Sequence, residues 1–216
     1  MANDAKPQVQ AFRTRITKLD ANGVPTPGPE TVYVTGALTT LTTNPVYVDG
    51  DEFEEKNGGG EICVSYKGPD TFKRIDWELT ICTPDPYLLE MVSGGKVLDD
   101  GDAVGFAYPA LGPMTPTPIS IEVWTKRVDD GVLDPNLPYA WWVLPWSDSM
   151  RLGSKTFGNN AILPTISGRA FENQNWFDGP TNNWPTTSDR VLQYMPCSED
   201  DVPPVTAPNY GTVAAS

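Results

Sequence analysis

Hydrophobic and polar residues alternate with a period of two along much of this chain. From Phe72 to Cys82 the sequence reads FKRIDWELTIC, which sets Ile75, Trp77, Leu79 and Ile81 against Arg74, Asp76, Glu78 and Thr80. Such alternation predicts a strand with one buried and one polar face. Ile119 to Val128, ISIEVWTKRV, repeats the pattern: Ile119, Ile121 and Val123 oppose Ser120, Glu122 and Lys126, with Trp124 the exception on the polar side. EICVSY, from Glu61 to Tyr66, places Ile62, Val64 and Tyr66 inward. The Gly-Pro-Asp of the following KGPDT has turn chemistry and predicts a hairpin joining this strand to the Phe72 strand. Further strands are expected at Val9–Leu19, Thr31–Thr43, Phe106–Tyr108, Ala140–Trp146, Ser149–Phe157, Ile166–Asn173 and Val191–Tyr194.

Only one segment carries helix signals. Thr83 reads as its cap and Pro84 sits in the first turn, and the run PDPYLLEMV closes at Gly94-Gly95. Many strands with one short helix predict a mainly β fold, a sandwich or barrel with a flanking helix and long loops. Three stretches read as irregular: Asp20–Glu30, the acidic Val48–Gly60, and the proline-rich Met195–Ser216. The expected organisation is one β domain over residues 1–195 and an extended C-terminal arm over 196–216, without an internal repeat of fixed period.

Composition narrows the function classes. The chain has 216 residues, 28 acids against 15 bases, no histidine and a formal net charge of −13. Without histidine there is no Ser-His-Asp triad, no Cys-His dyad and no imidazole zinc ligand. A pI of about 4.3 argues against a protein that grips nucleic acid by its phosphates, which takes a basic surface. With 19 glycines and 22 prolines the chain is turn-rich, but seven tryptophans and a 10% aromatic content supply enough apolar area for a folded core. Cys63, Cys82 and Cys197 show no C-x-x-C spacing and read as separate reduced thiols. The opening MANDAKPQVQAFRTR lacks the apolar core of a signal peptide, so synthesis in a cytosol is expected. The apolar cluster Tyr139–Trp146 is far shorter than the ~20 residues of a transmembrane helix.

Several groups invite a chemical reading. Asp49, Asp51, Glu52, Glu54 and Glu55 resemble a calcium loop only in charge, because Phe53 occupies the third ligand position and no glycine follows it. The stretch reads instead as a solvated loop, or as an interaction loop with Phe53 as its apolar anchor. Asp99, Asp100 and Asp102, and Asp129-Asp130-Gly131, read as turns. Trp141, Trp142, Trp146, Trp176 and Trp184 could stack sugars, or fill a core or interface. Gly58–Gly60 is no phosphate cradle, since neither a lysine–serine pair nor a helix follows. No catalytic, cofactor or metal constellation emerges, and the expectation is a non-enzymatic protein.

The stretch Val48–Gly95 resembles the major tail proteins, the tail-tube subunits, of long-tailed phages that infect actinobacteria. The similarity lies in the acidic D-G-D-E-F loop running into glycines, C-V-S-Y-K-G, the long strand ending I-C-T-P-D-P, and the short helix closed by glycines. FRTRITKLDANGVP and the G-x-L-T-T-L continuation fit as well, and the likeness loosens from Ile119 to Trp146. The resemblance implies a tail-tube β-sandwich whose subunits form rings of six. The rings stack into a non-contractile tube through which DNA passes without specific binding. It implies a virion location after assembly in host cytoplasm, no membrane, and tape-measure, terminator and distal tail proteins as partners. On that expectation an acidic lumen repels the duplex within the reach of screening, and Asp76, Glu78 and Glu122 are the candidate lumen-lining residues. The loop of Asp49, Asp51, Glu52, Phe53, Glu54 and Glu55 is the candidate subunit or ring interface. Two other classes compete: a carbohydrate-binding β-sandwich for virion decoration or receptor binding, and a glycosidase driven by paired carboxylates.

Overall fold

A computed structural model describes residues 6–83, 85–112, 116–155, 158–159, 163–176, 179, 184, 190–205 and 210–213. The period-two pattern resolves into fourteen strands among these residues. They are β1 (Gln8–Lys18), β2 (Gly28–Thr35), β3 (Leu38–Val48), β4 (Glu52–Lys56), β5 (Ile62–Lys67), β6 (Thr71–Ile81), β7 (Lys96–Asp99), β8 (Val104–Ala107), β9 (Ile119–Asp129), β10 (Val132–Leu133), β11 (Tyr139–Leu152), β12 (Thr165–Phe171), β13 (Gln193–Cys197) and β14 (Tyr210–Val213). Among the described residues there is one α-helix, α1 (Pro86–Ser93), between β6 and β7, and a short 3-10 turn at Glu199–Asp201. The fold is mainly β, as the alternation predicts.

Ten strands form one antiparallel sheet whose main path runs β14-β2-β1-β9-β11-β12-β6-β3. β11 is long enough to hold β9 along one edge and both β13 and β12 along the other. β10 turns back on β9 through Asp130 and Gly131, both at positive φ, as a tight two-residue hairpin requires. The sheet curls until β3 meets β1, across a seam lined by Ala11, Leu41, Thr43 and Val123. Inside the curl, Ile75, Trp77, Leu79 and Ile81 of β6 pack with Ile119, Ile121 and Val123 of β9, Ile16, Leu144 and Ile166. Leu88, Leu89, Met91 and Val92 of α1 join this core.

The helix starts two residues later than expected. Asp85 is its cap, accepting from the backbone N–H groups of Tyr87 and Leu88, with Pro86 in the first turn. Thr83 does not cap it, and Pro84 lies outside the described residues. Gly94, in the left-handed conformation, ends the helix as expected and donates its N–H to Glu90 O.

A second core lies on the opposite face of β9 and β11. Leu19, Trp124, Trp141, Val143, Trp176, Trp184 and Cys197 build it. The central strands are therefore buried on both faces, and the polar side expected for β9 is interior. The expected boundary at 195/196 falls inside β13, which pairs with β11, and residues 210–213 pair with β2. The expected strand Ser149–Phe157 is the end of β11 as far as Leu152, and residues 156–157 lie outside the described set.

The predicted hairpin between β5 and β6 does not form. β6 pairs with β3 on one side and β12 on the other, while β5 pairs with β4. The segment from Leu38 to Ile81 is instead one long hairpin with a joint, closed at its tip by Asn57 and the glycines after it. Gly50 and Gly68 make the joint: Gly68 donates its N–H to Asp51 O, and Gly50 donates to the Asp70 carboxylate. A Cβ on Gly50 would lie 2.1 Å from the Gly68 oxygen. The turn residues of KGPDT thus serve a crossing of two strands rather than a reversal.

Candidate assembly surface

Beyond the joint, β4 and β5 stand away from the sheet as an arm, and every residue of both strands is exposed. The stretch expected to be an irregular acidic loop thus holds a strand, β4, paired with the expected strand β5, whose Ile62, Val64 and Tyr66 are exposed rather than inward because no layer of the sheet covers them. Register places Phe53 opposite Tyr66 and Glu55 opposite Val64 on one face of the arm. Glu52 and Glu54 share the other face, and Glu54 is ion-paired with Lys56 at 3.0 Å. Asp49 and Asp51 flank the joint and are exposed. Phe53, Ile62, Val64 and Tyr66 are about half-exposed or more. Tyr47 and Phe72, where the arm leaves the sheet, are exposed and packed edge-on at 5.5 Å. An isolated two-stranded hairpin is marginal in water, and apolar side chains on both of its strands mark a surface made for covering.

The three candidate lumen residues separate. Asp76 and Glu78 point out of the curl on β6, Asp76 half-buried and Glu78 exposed. Asp76 is held by Arg74 at 2.7 Å, and this hydrogen bond keeps its carboxyl below the usual range. Glu122 is a different case. It is fully buried, accepts from Arg15 Nε and Nη2 at 2.5 and 2.6 Å, and accepts from the Trp141 indole at 3.1 Å. A carboxylate enclosed by its own chain cannot line a channel, so the expectation for Glu122 is corrected. The cause is the second core, which covers the polar face of β9.

Next to Asp76 the wall opens into a notch of about 220 Å³, lined by Asp76, Trp77, Ser149, Arg151, Ser167 and Arg169, with Gly168 between the last two. Register creates it: Arg169 of β12 lies opposite Asp76 and opposite Asp148 of β11. A bulge between Asp148 and Arg151, with Ser149 at φ 53°, swings Arg151 into the same place. Arg151 and Arg169 are exposed and have no hydrogen bond or ion pair among the described residues. Trp77 borders the notch too, but its side chain packs in the core inside the curl, where its indole N–H has no acceptor among the described residues. No sequence motif marks this site, because its parts come from three strands.

The tryptophans do not make a sugar platform among the described residues. Trp141, Trp176 and Trp184 are buried; Trp142 is half-buried, donating its indole N–H to Gln8 and stacking on Tyr194 at 4.5 Å. Trp146 is half-buried, its ring against Gly23. Asp99 and Asp100 accept backbone N–H groups from Gly101, Asp102 and Ala103, which is the expected turn. Asp130 and Gly131 form the expected turn as well, between β9 and β10, and Asp129 at its start binds Lys6 at 3.0 Å. Among the described residues no three cysteine, aspartate or glutamate side chains group as metal ligands, and no helix is long and apolar enough to cross a membrane.

No protein-family model and no curated protein matches this sequence. Solved structures give a faint likeness. One is the extended sheath-tube complex of PVC, an extracellular contractile injection system, at 11% identity and a TM-score of 0.34 over 90% of this chain and 94% of that chain. The tube-terminating cap of the anti-feeding prophage is similar at 13% identity and a TM-score of 0.34, over 91% and 98%. Its baseplate is similar at 10% identity and a TM-score of 0.34, over 89% and 97%. At these values the likeness carries no argument about what this chain binds or builds, which rests on its own residues.

Proposed function

We propose that this chain is a structural subunit of a phage-type tail tube. Copies associate into rings of six, and the rings stack with other tail proteins into the tube of a virion. The observation that carries the reading is the β4–β5 arm, an exposed strand pair with apolar side chains on both strands that a monomer leaves uncovered. The resemblance of Val48–Gly95 to tail-tube subunits supplies the architecture. The arm is the inter-subunit element, with Asp49, Asp51, Glu52, Phe53, Glu54 and Glu55 at the contact. The outward face of β6 and its neighbours is the channel wall, with Glu78 and Asp76 beside the polar Thr42 and Asn44 of β3. A wall without an excess of basic charge lets a duplex slide, because phosphates find no counterion-releasing partners. The repeating contact also covers sheet edges that would otherwise pair at random.

Negative-stain microscopy of the concentrated protein, with and without a tail extract as initiator, tests this reading. Hollow tubes of constant width are expected. Phe53→Ser combined with Tyr66→Ser, both at exposed positions, is expected to keep the fold and abolish the tubes. A monodisperse monomer under every condition overturns the proposal.

A further inference from the structure

We infer that Asn57-Gly58, at the tip of the arm, is a site of self-modification, where the chain converts its own asparagine to aspartate and isoaspartate. The inference stands apart from the tube reading and bears on it only because this tip ends the arm. The sequence holds two Asn-Gly steps, Asn22-Gly23 and Asn57-Gly58. In such a step the glycine backbone nitrogen can attack the asparagine side-chain carbonyl, since no Cβ shields it. The fold treats the two steps oppositely. Gly23 is buried, its N–H is donated to Asp20 O at 3.1 Å, and Asn173 and Trp146 would each stand 2.6 Å from an added Cβ. That nitrogen is occupied, and the packing around it leaves no room to move. Gly58 is exposed, its N–H has no hydrogen bond among the described residues, and nothing lies within 4 Å of an added Cβ.

The asparagine is prepared as well. Asn57 Oδ1 accepts the backbone N–H groups of Gly59 and Glu61, both at 2.9 Å, and Asn57 Nδ2 donates to the Glu61 carboxylate at 2.8 Å. The two donors polarise the carbonyl and would stabilise the negative charge that grows on Oδ1 as its carbon becomes tetrahedral. The Glu61 carboxylate fixes which end of the amide is which, because a carboxylate only accepts. In the reaction a bond forms from Gly58 N to Asn57 Cγ, and the Cγ–Nδ2 bond breaks. Ammonia leaves with the proton from Gly58 N, and a cyclic succinimide remains. Water then opens the ring at either carbonyl, to aspartate or isoaspartate. The product adds a negative charge beside Glu61, and isoaspartate lengthens the backbone by a methylene. The hydrogen bonds of the tip, Asn57 N–H to Glu61 O at 2.8 Å and Gly60 N–H to Asn57 O at 2.9 Å, then lose their register.

Incubation of the dilute, unassembled protein in mildly alkaline buffer, followed by proteolysis and peptide mass analysis, tests the site. The peptide holding Asn57 is expected to gain the mass of amide-to-acid exchange at least about tenfold faster than the peptide holding Asn22. It is also expected to become a substrate for an isoaspartyl methyltransferase. In urea, where the fold no longer separates them, the two asparagines are expected to convert at similar rates. Gly58→Val, placed in the open space of the tip, is expected to suppress the conversion while thermal melting stays within a few degrees of the parent. Equal rates at Asn57 and Asn22 in the folded protein overturn the inference, as does an Asn57 that stays intact. Conversion that persists undiminished in Gly58→Val overturns it too.

Discussion

Arg15 grips Glu122 through two hydrogen bonds, at 2.5 and 2.6 Å, in an interior where both side chains are almost wholly shielded from solvent. The Arg15 guanidinium also lies over the rings of Trp124 and Trp141, at 5.3 and 5.8 Å from their centres. Trp124 and Trp141 stack on each other at 5.4 Å, and Trp184 meets Trp141 edge-on at 4.8 Å. One ion pair thus sits against the aromatic layer of the second core and ties β1 to β9, which are register partners at these two residues.

Removing one member of such a pair leaves the other charged and buried. Glu122→Ala is therefore expected to cost about 3–5 kcal/mol of unfolding free energy, in line with other broken buried pairs. Glu78→Ala, on the exposed face of the same sheet, should stay within about 0.5 kcal/mol. Urea unfolding followed by tryptophan fluorescence measures both. Equal, small effects would show that Glu122 is not enclosed.

The contrast between these two acids shows what the sequence could and could not reveal. Alternation sorts residues onto two faces, and it sorted β6 correctly: Ile75, Trp77, Leu79 and Ile81 are buried, and Glu78 is exposed. It cannot say what covers a face. The core on that side of β9 is completed by Trp176, Trp184 and Cys197, more than fifty residues beyond Glu122 along the chain. Trp124, out of pattern on the supposed polar side of β9, was the one local signal that this side is interior. Turn chemistry is local in the same way. KGPDT does contain a direction change, but the partner of β6 is chosen by β3 and β12, through pairs such as Thr42 with Glu78 and Glu78 with Ser167. The notch was invisible because it depends on the register of β6, β11 and β12 and on the bulge at Ser149.

Asp134 governs part of the response to acid. Its carboxylate accepts backbone N–H groups of Asn136 at 2.9 Å and Leu137 at 3.3 Å, and binds Lys6 at 3.0 Å and Arg127 at 3.5 Å. The backbone donors and Lys6 hold its pKa down, from 3.8 to about 2. A depressed acid stabilises the fold above its unfolded pKa, and that contribution fades as pH falls through the folded one. Asp134→Asn is expected to be less stable than the parent at pH 6, with the gap closing between about pH 4 and pH 2. Melting temperatures across that range decide the matter, and a gap independent of pH would rule out this linkage.

The three thiols should divide into two and one. Cys63 on β5 and Cys82 after β6 are exposed, whereas Cys197 on β13 is 2% exposed. Burial pushes the Cys197 thiol up to about 12, with a smaller upward push from the Asp201 charge. Since the thiolate is the reacting form, a disulfide reagent at pH 8 is expected to titrate two thiols promptly and the third only after denaturation. Prompt reaction of all three would mean that β13 does not close over the second core.

The joint between sheet and arm offers the last prediction. Gly50 and Gly68 approach so closely that a methyl group on Gly50 would meet the Gly68 carbonyl at 2.1 Å, and that carbonyl is backbone with no rotamer to yield. Gly50→Ala must push the two strands apart where they cross. The hydrogen bonds at the crossing, Gly68 N–H to Asp51 O at 2.9 Å and Gly50 N–H to Asp70 at 3.1 Å, are the ones that break. The cores are remote from this point, so the amides of β9 and β11 should keep their slow hydrogen exchange while those of Gly68 and the arm exchange faster. Loss confined to the arm is expected, together with failure to assemble. Uniform loss of protection across the sheet would instead show that the arm and the sheet unfold as one unit.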